Sequence, residues 1–236
     1  MNDWTPDATA VSAFRECPEL FRLKYRLHLM PPQVSEPLRV GQALHRALDE
    51  WRKTGSLEAA EAALLAAIPV TPEAVIDTTN VLKVDAPTRR GPDYLRDVLR
   101  QYVTLYPSEP FTVVRSERYH ETLIERAGVR FRWCGIEDAL IEFPDRARYV
   151  MDTKTTKSYF GRDHWTVFEL HDGLLGYVAM ERADGEDCDG FYLDGISMPQ
   201  TKTGSVKFER HGPILVPEWR LDRWAEDMAH TLQEIA

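Results

Sequence analysis

Cysteine is scarce in this chain, with three residues, Cys17, Cys134 and Cys188, among 236. They are widely spaced, odd in number and form no CxxC pair, so neither a disulfide framework nor a zinc site is indicated. A reducing cytoplasm is the simplest compartment for such thiols. No run of eighteen apolar residues occurs, which argues against a membrane span. The start, Met-Asn-Asp-Trp-Thr-Pro-Asp, lacks the basic segment and apolar run of a signal peptide. Internal repeats and low-complexity linkers are missing too. So are a phosphate-cradling glycine loop and a nucleophile elbow, which weighs against an unrelated α/β metabolic enzyme. An excess of positive charge is also lacking. The formal net charge is -9, which weighs against a protein that coats nucleic acid without specificity. A local basic stripe is still present in Arg15, Arg22, Lys24 and Arg26.

What is present is an ordinary globular composition, 43% hydrophobic and 28% charged, in a chain long enough to bury a core without staples. The first third reads as helical. Val11, Phe14, Leu20, Phe21 and Leu27 recur at helical spacing from Ala10 to Met30. Cys17-Pro18 marks a break, since proline suits a first helical turn, and Pro31-Pro32 ends the region. Leu38 to Trp51 carries Val40, Leu44, Leu48 and Trp51 on one face and stops at Thr54-Gly55-Ser56. The alanine-rich stretch from Leu57 to Ile68 favours helix. Residues 69 to 91 have no period and contain Pro69, Pro72 and Pro87. Pro92 to Tyr106 is a further helix.

The period then shortens. Phe111 to Tyr119 is strand-like and continues through Glu121–Ile124 to a turn at Ala127-Gly128. Val129 to Phe143 reads as a long strand, Pro144-Asp145 as a turn, and Arg148 to Lys154 as a third strand. Thr166 to Arg182 reads as one helix, Gly190 to Met198 as a strand and Ser205 to Glu209 as a short one. Pro217 to Ala236 is an amphipathic helix with Trp219, Leu221, Trp224, Met228 and Leu232. This order predicts an α/β domain with a mixed sheet and a helical N-terminal part. As one domain over 1–236, it would comprise helices at about 8–106, a sheet core at about 110–212 and a last helix at about 217–236.

The densest chemical signal lies between Gly135 and Lys154. Gly135-Ile136-Glu137-Asp138 sits in one strand and Met151-Asp152-Thr153-Lys154 ends the next, its antiparallel neighbour across a short turn. Asp138 and Asp152 can then converge. Two close carboxylates repel unless a cation lies between them, and hard oxygen donors suit Mg²⁺ or Mn²⁺. Asp152 and Lys154, two apart on a strand, share a face. A metal, a water and an ammonium group together suit phosphodiester hydrolysis. An Asp-x-Lys by itself is common and usually a solvated strand edge; the upstream strand and the hairpin set this one apart.

Several segments in order resemble the RecB-like, phage-type exonuclease branch of the PD-(D/E)XK nuclease superfamily, which includes the CRISPR adaptation nucleases. Val11-Ser12-Ala13-Phe14-Arg15-Glu16-Cys17-Pro18-Glu19-Leu20-Phe21 is similar to its S-x-hydrophobic-x-x-C-P-x-x-aromatic helix. Gly41-Gln42-Ala43-Leu44-His45-Arg46-Ala47-Leu48 resembles its G-x-x-x-H-x-x-L helix. Gly135-Ile136-Glu137-Asp138 resembles its G-x-x-D strand, and Asp152-Thr153-Lys154-Thr155-Thr156 its D-x-K-T strand. The resemblance spans Val11 to Tyr177 and implies a restriction-endonuclease-like core, a mixed sheet flanked by helices. It implies that His45, Asp138, Asp152 and the Thr153 carbonyl hold Mg²⁺ or Mn²⁺ and that Lys154 orients or activates the attacking water. A lone histidine beside an apolar helix face is structural by default; Gly41 and the later strands favour a ligand role for His45.

Glu117 is either a further ligand, a supporting acid, or an exposed strand glutamate between Arg115 and Arg118. Two departures stand out. Tyr177 occupies the tyrosine position of the family's Q-x-x-x-Y helix, but Gly173 replaces the glutamine; His171 or Asp172 are the nearby polar substitutes. The C-terminal cysteine trio of the iron–sulfur relatives is missing, so no cluster is expected, and Cys17 is expected to be a buried small hydrophobe.

The resulting expectation is a metal-dependent deoxyribonuclease, an exonuclease or end-processing enzyme. Its partners would be DNA ends or single strands, with no membrane, and a protein partner or a second copy of the chain is also allowed for. Arg15, Arg22, Lys24, Arg26 and Arg46 are either phosphate contacts or a solvated helix face. The alternative is a nuclease-fold DNA-binding or assembly subunit without turnover, favoured by Gly173 and opposed by the intact carboxylates.

Overall fold

The computed structural model describes residues 5–29, 35–68, 91–161, 164–199 and 205–235. The sequence expectations for Pro31-Pro32 and for the aperiodic stretch at 69–90 lie outside the described residues. The chain divides into two compact units. One comprises Met1–Gln33, Pro110–Pro199 and Lys207–Ala236, the other Val34–Glu109 and Gln200–Val206. The helical N-terminal part is thereby shared between the units.

The first unit opens with α1 (Ala8–Glu16), whose N-cap Asp7 carboxylate accepts the Ala10 N–H at 2.7 Å, satisfying one orphan donor of the first turn. The break at Cys17-Pro18 occurs as expected: Pro18 starts α2 (Pro18–Phe21), which runs into a π-helical turn at Arg22–Arg26. Cys17, expected to be buried, is exposed. It serves as the extended junction residue that caps one helix and starts the next, a position that turns its side chain out of the packed helix face.

Among the described residues five strands follow: β1 (Thr112–Arg126), β2 (Val129–Glu142), β3 (Arg148–Thr156), β4 (Gly190–Ser197) and β5 (Lys207–Leu215). They form one sheet in sequential order, so β1 and β5 are its edges. The pairs β1–β2, β2–β3 and β4–β5 are antiparallel and β3–β4 is parallel. Ala127 and Gly128 both take positive φ, 49° and 77°, the two-residue turn whose twist suits a hairpin. The parallel pair requires a crossover, supplied by α6 (Thr166–Glu169) and α7 (Asp172–Ala183).

The sequence reads as one helix from Thr166 to Arg182, but it breaks at Leu170-His171. There His171 is extended, and its ring Nδ1 accepts the Gly173 N–H at 3.2 Å, starting α7 afresh. The strand expected at Ser205–Glu209 instead reaches Leu215. Gly212-Pro213 looks like a stop, but an edge strand tolerates residues that cannot continue a ladder on both sides. The last helix, α8 (Glu218–Ile235), buries Leu221, Trp224 and Met228 while Trp219 is exposed.

Alternating strand residues divide between two cores. Leu140, Val150, Phe191 and Leu193 pack with Val11, Leu174, Val178, Leu221 and Trp224 from the helices. Ala139, Ile141, Tyr149, Met151 and Tyr192 gather with Phe111 in the second core.

The second unit contains α3 (Glu36–Thr54), α4 (Leu57–Ala67) and α5 (Pro92–Leu105). Gly55, at φ 65°, ends α3 in the left-handed conformation that glycine adopts without strain. Ser56 then caps α4 by accepting the Ala59 N–H. Val40, Leu44, Leu48, Leu64, Leu95, Leu99 and Tyr102 are buried in this unit. Among the described residues no helix is long and apolar enough to cross a membrane.

Candidate active site

The β2–β3 ladder runs from Glu142↔Arg148 to Ala139↔Met151. Beyond that last pair, Asp138 continues it with a side chain: its Oδ2 accepts the Thr153 N–H at 2.7 Å. From there β3 is held by β4 instead, with Asp152 opposite Leu193 and Lys154 opposite Gly195. The hairpin thus delivers Asp138, Asp152, Thr153 and Lys154 to one place.

Asp152 is 6% exposed, and the Lys154 Nζ lies 2.7 Å from its Oδ2. Burial opposes the ammonium charge, but the Asp152 and Asp138 carboxylates outweigh it and hold the lysine above its ordinary range. Lys154 therefore stays cationic, and its Nζ sits 5.8 Å from the centre of the Phe168 ring.

Glu117 joins this group from β1. It falls between the pairs Ser116↔Ala139 and Arg118↔Glu137, across from Asp138. One carboxylate oxygen of Glu117 and one of Asp138 lie within 4.8 Å of each other. Glu117 adopts φ 47°, a strained conformation for a residue with a side chain and one that clusters at functional sites.

Tyr177 reaches the same hairpin from α7. Its hydroxyl donates to the Ile136 carbonyl at 2.7 Å. Burial first, then Asp152 and Asp138, push the phenol above its usual range, so it remains a donor. The ring lies on Gly135, where a Cβ would come 2.5 Å from Tyr177 Cε1. A Cβ on Gly176 would meet the Trp133 indole nitrogen at 2.4 Å. Both glycines allow α7 to approach β2 closely.

Gly173, at the position where the resemblance expects glutamine, is similarly hemmed in. A Cβ there would meet the His171 ring at 3.1 Å and Ala8 Cβ at 3.3 Å. Of the two polar neighbours, His171 has its pKa lowered by burial and by Lys154, as suits a neutral ring accepting a cap bond. Asp172 accepts from Arg15 at 2.5 Å.

The basic residues read from the sequence have partners of their own. Arg15 also donates to Thr231 at 3.0 Å. Arg22 grips Glu19 through two hydrogen bonds of 2.7 Å, and Arg26 donates to the Ile235 carbonyl at 3.0 Å. Lys24 stands 5.0 Å from the Tyr25 ring centre. Arg46 is exposed on α3 and His45 half-buried there, both within the second unit. Sequence reasoning passed over Trp165. This residue stacks on His211 at 5.5 Å, donates to Glu209 at 2.6 Å and crowds Gly195, the β4 neighbour of Lys154. The dense aromatic stretch from Tyr159 to Phe168 was the available signal.

No curated protein matches the chain. A solved structure of a candidate exonuclease from Eubacterium rectale is 13% identical and superposes with a TM-score of 0.53, over 98% of this chain and 79% of that one. The solved structure of SSO0001 is 14% identical with a TM-score of 0.36, over 96% of this chain and 86% of that one. The family model for the PD-(D/E)XK nuclease superfamily matches residues 8–236. By that match and by its α/β mixed-sheet fold, the chain belongs to the PD-(D/E)XK nuclease superfamily.

Proposed function

We propose that the protein is a Mg²⁺- or Mn²⁺-dependent deoxyribonuclease, an exonuclease or end-processing enzyme of DNA repair, recombination or phage- and CRISPR-related metabolism, working in the cytoplasm. The observation that carries this reading is the Asp138–Thr153–Asp152–Lys154 junction, where a side-chain hydrogen bond and an ion pair gather two carboxylates and one cation.

The donor set fits a hard divalent ion: Asp138, Asp152 and the Thr153 carbonyl offer oxygen, with Glu117 close to Asp138. The resemblance adds His45 as a further ligand. When bound, the ion supplies Lewis acidity and lowers the pKa of a water. Lys154 contributes a fixed positive charge that orients the water and faces the charge developing on phosphorus-bound oxygen. Tyr177 holds the Gly135–Ile136 backbone, and through it the start of the Asp138 segment.

A second reading, a DNA-binding or assembly subunit without turnover, is favoured by Gly173, which offers no side chain to hold a phosphate. End-labelled single- and double-stranded DNA, incubated with Mg²⁺, Mn²⁺ or chelator, separates the two. Metal-dependent shortening supports the nuclease. Binding without cleavage under every metal supports the subunit.

A further inference from the structure

A second cluster of ionisable groups lies where the C-terminal half of α7 meets the β1–β2 hairpin. His120 from β1, Glu137 from β2 and Glu181 from α7 are 2%, 1% and 0% exposed. The His120 Nδ1 is 3.1 Å from Glu137 Oε1 and 3.4 Å from Glu181 Oε1. Its Nε2 is 2.8 Å from Asp184 Oδ2, and Asp184 is fixed in turn by the Thr122 hydroxyl at 2.7 Å. Glu181 spends its other oxygen on Arg115.

One ring nitrogen carries at most one proton, and here it faces two carboxylates. Among the described residues, Glu137 Oε2 and Glu181 Oε1 are buried and accept no hydrogen bond. Leaving such oxygens unsatisfied is costly. A divalent cation held by Glu181 Oε1 and by both oxygens of Glu137 would satisfy both. Metal–nitrogen and metal–oxygen bonds of about 2.0–2.1 Å in a tetrahedral site hold neighbouring ligand atoms about 3.3 Å apart, which matches the 3.1 and 3.4 Å separations observed. A ligating histidine commonly donates its other N–H to a carboxylate, the arrangement His120 has with Asp184. An imidazole with two carboxylates suits zinc or a similar transition-metal ion better than Mg²⁺ or Ca²⁺.

We propose that His120, Glu137 and Glu181 form a zinc-type cation site separate from the Asp138–Asp152 centre, joining α7 to the β1–β2 hairpin. The bound ion would be structural. It would fix the helix that carries Tyr177 one turn before Glu181, and the strand that carries Asp138 next to Glu137.

The test uses the full chain with Asp138→Asn and Asp152→Asn, which removes the other carboxylate pair. The protein is stripped with chelator, loaded with Zn²⁺ and freed of excess ion. Mass spectrometry of the metal should find about one equivalent per chain, and saturating Zn²⁺ should raise the thermal midpoint by at least ~5 °C. Adding Glu181→Gln should weaken Zn²⁺ affinity at least about tenfold and lower both the retained zinc and the thermal shift. If that variant misfolds, the stoichiometry and thermal shift of the parent decide. No retained zinc in the parent, or equal retention with folded Glu181→Gln, overturns the proposal and leaves an ion network around His120. Because the nuclease reading is tested by cleavage with Asp138 and Asp152 intact, either idea can fail alone.

Discussion

The Asp138 carboxylate accepts the backbone N–H of Thr153 at 2.7 Å, just past the last ladder pair of β2 and β3. This side chain therefore works as sheet backbone as well as carrying the charge proposed for the chemistry. Asp138→Asn keeps a carbonyl oxygen for Thr153 but removes the charge. Cleavage should fall at least about 100-fold, with a stability loss under ~1 kcal/mol. Asp138→Ala should lose both, with an added ~1–3 kcal/mol of destabilisation from the orphaned N–H. Urea unfolding beside a cleavage assay checks the pair. An active Asp138→Asn enzyme would refute the catalytic assignment.

Lys154 is paired with a buried carboxylate and held cationic. Lys154→Ala should lower cleavage by about 10³-fold while leaving DNA affinity within ~3-fold, because its charge matters mainly in the transition state. Affinity measured in Ca²⁺, with folding verified by circular dichroism, checks this. A parallel loss of affinity would make Lys154 a phosphate anchor instead.

Gly135 has no room for a methyl group, since a Cβ would lie 2.5 Å from the Tyr177 ring. Gly135→Ala should destabilise by ~1–3 kcal/mol through overpacking and reduce cleavage by displacing Asp138. Tyr177→Leu in the same chain should relieve part of the clash, so the double variant should be more stable than additivity predicts. Additive losses in thermal melts would show that the two positions do not press on each other.

The run Arg22, Lys24 and Arg26 contrasts with a net charge of -9. If these three contact phosphates, log K against log salt should have a slope of about -3, from roughly -0.9 per contact. Charge reversal at Arg22 and Arg26 should then weaken binding equally on every DNA sequence. Arg22 is already held by Glu19, so Glu19→Gln should tighten binding by releasing it. Titrations in Ca²⁺ across salt concentrations measure all three. Unchanged affinity on charge reversal would identify a solvated helix face and put the DNA path elsewhere.

The sequence alone determined much of the α/β order. Period-2 alternation, the Ala127-Gly128 turn and the helical spacing of Leu44 and Leu48 are local signals carried by adjacent residues. The juxtaposition of Asp138 with Asp152-Thr153-Lys154 was legible for the same reason, because a short hairpin converts sequence distance into register. Other features depended on residues far apart in the chain. The break at His171 arose from a cap bond that competes with helix continuation, and β5 continued through Gly212-Pro213 because it is an edge strand. Cys17 faces outward because of its place at a helix junction. That Gly135 serves the ring of Tyr177, and that His120, Glu137 and Glu181 meet in the interior, was decided only in three dimensions. Close approach and burial are properties of packed elements, and no local pattern in the sequence encodes them.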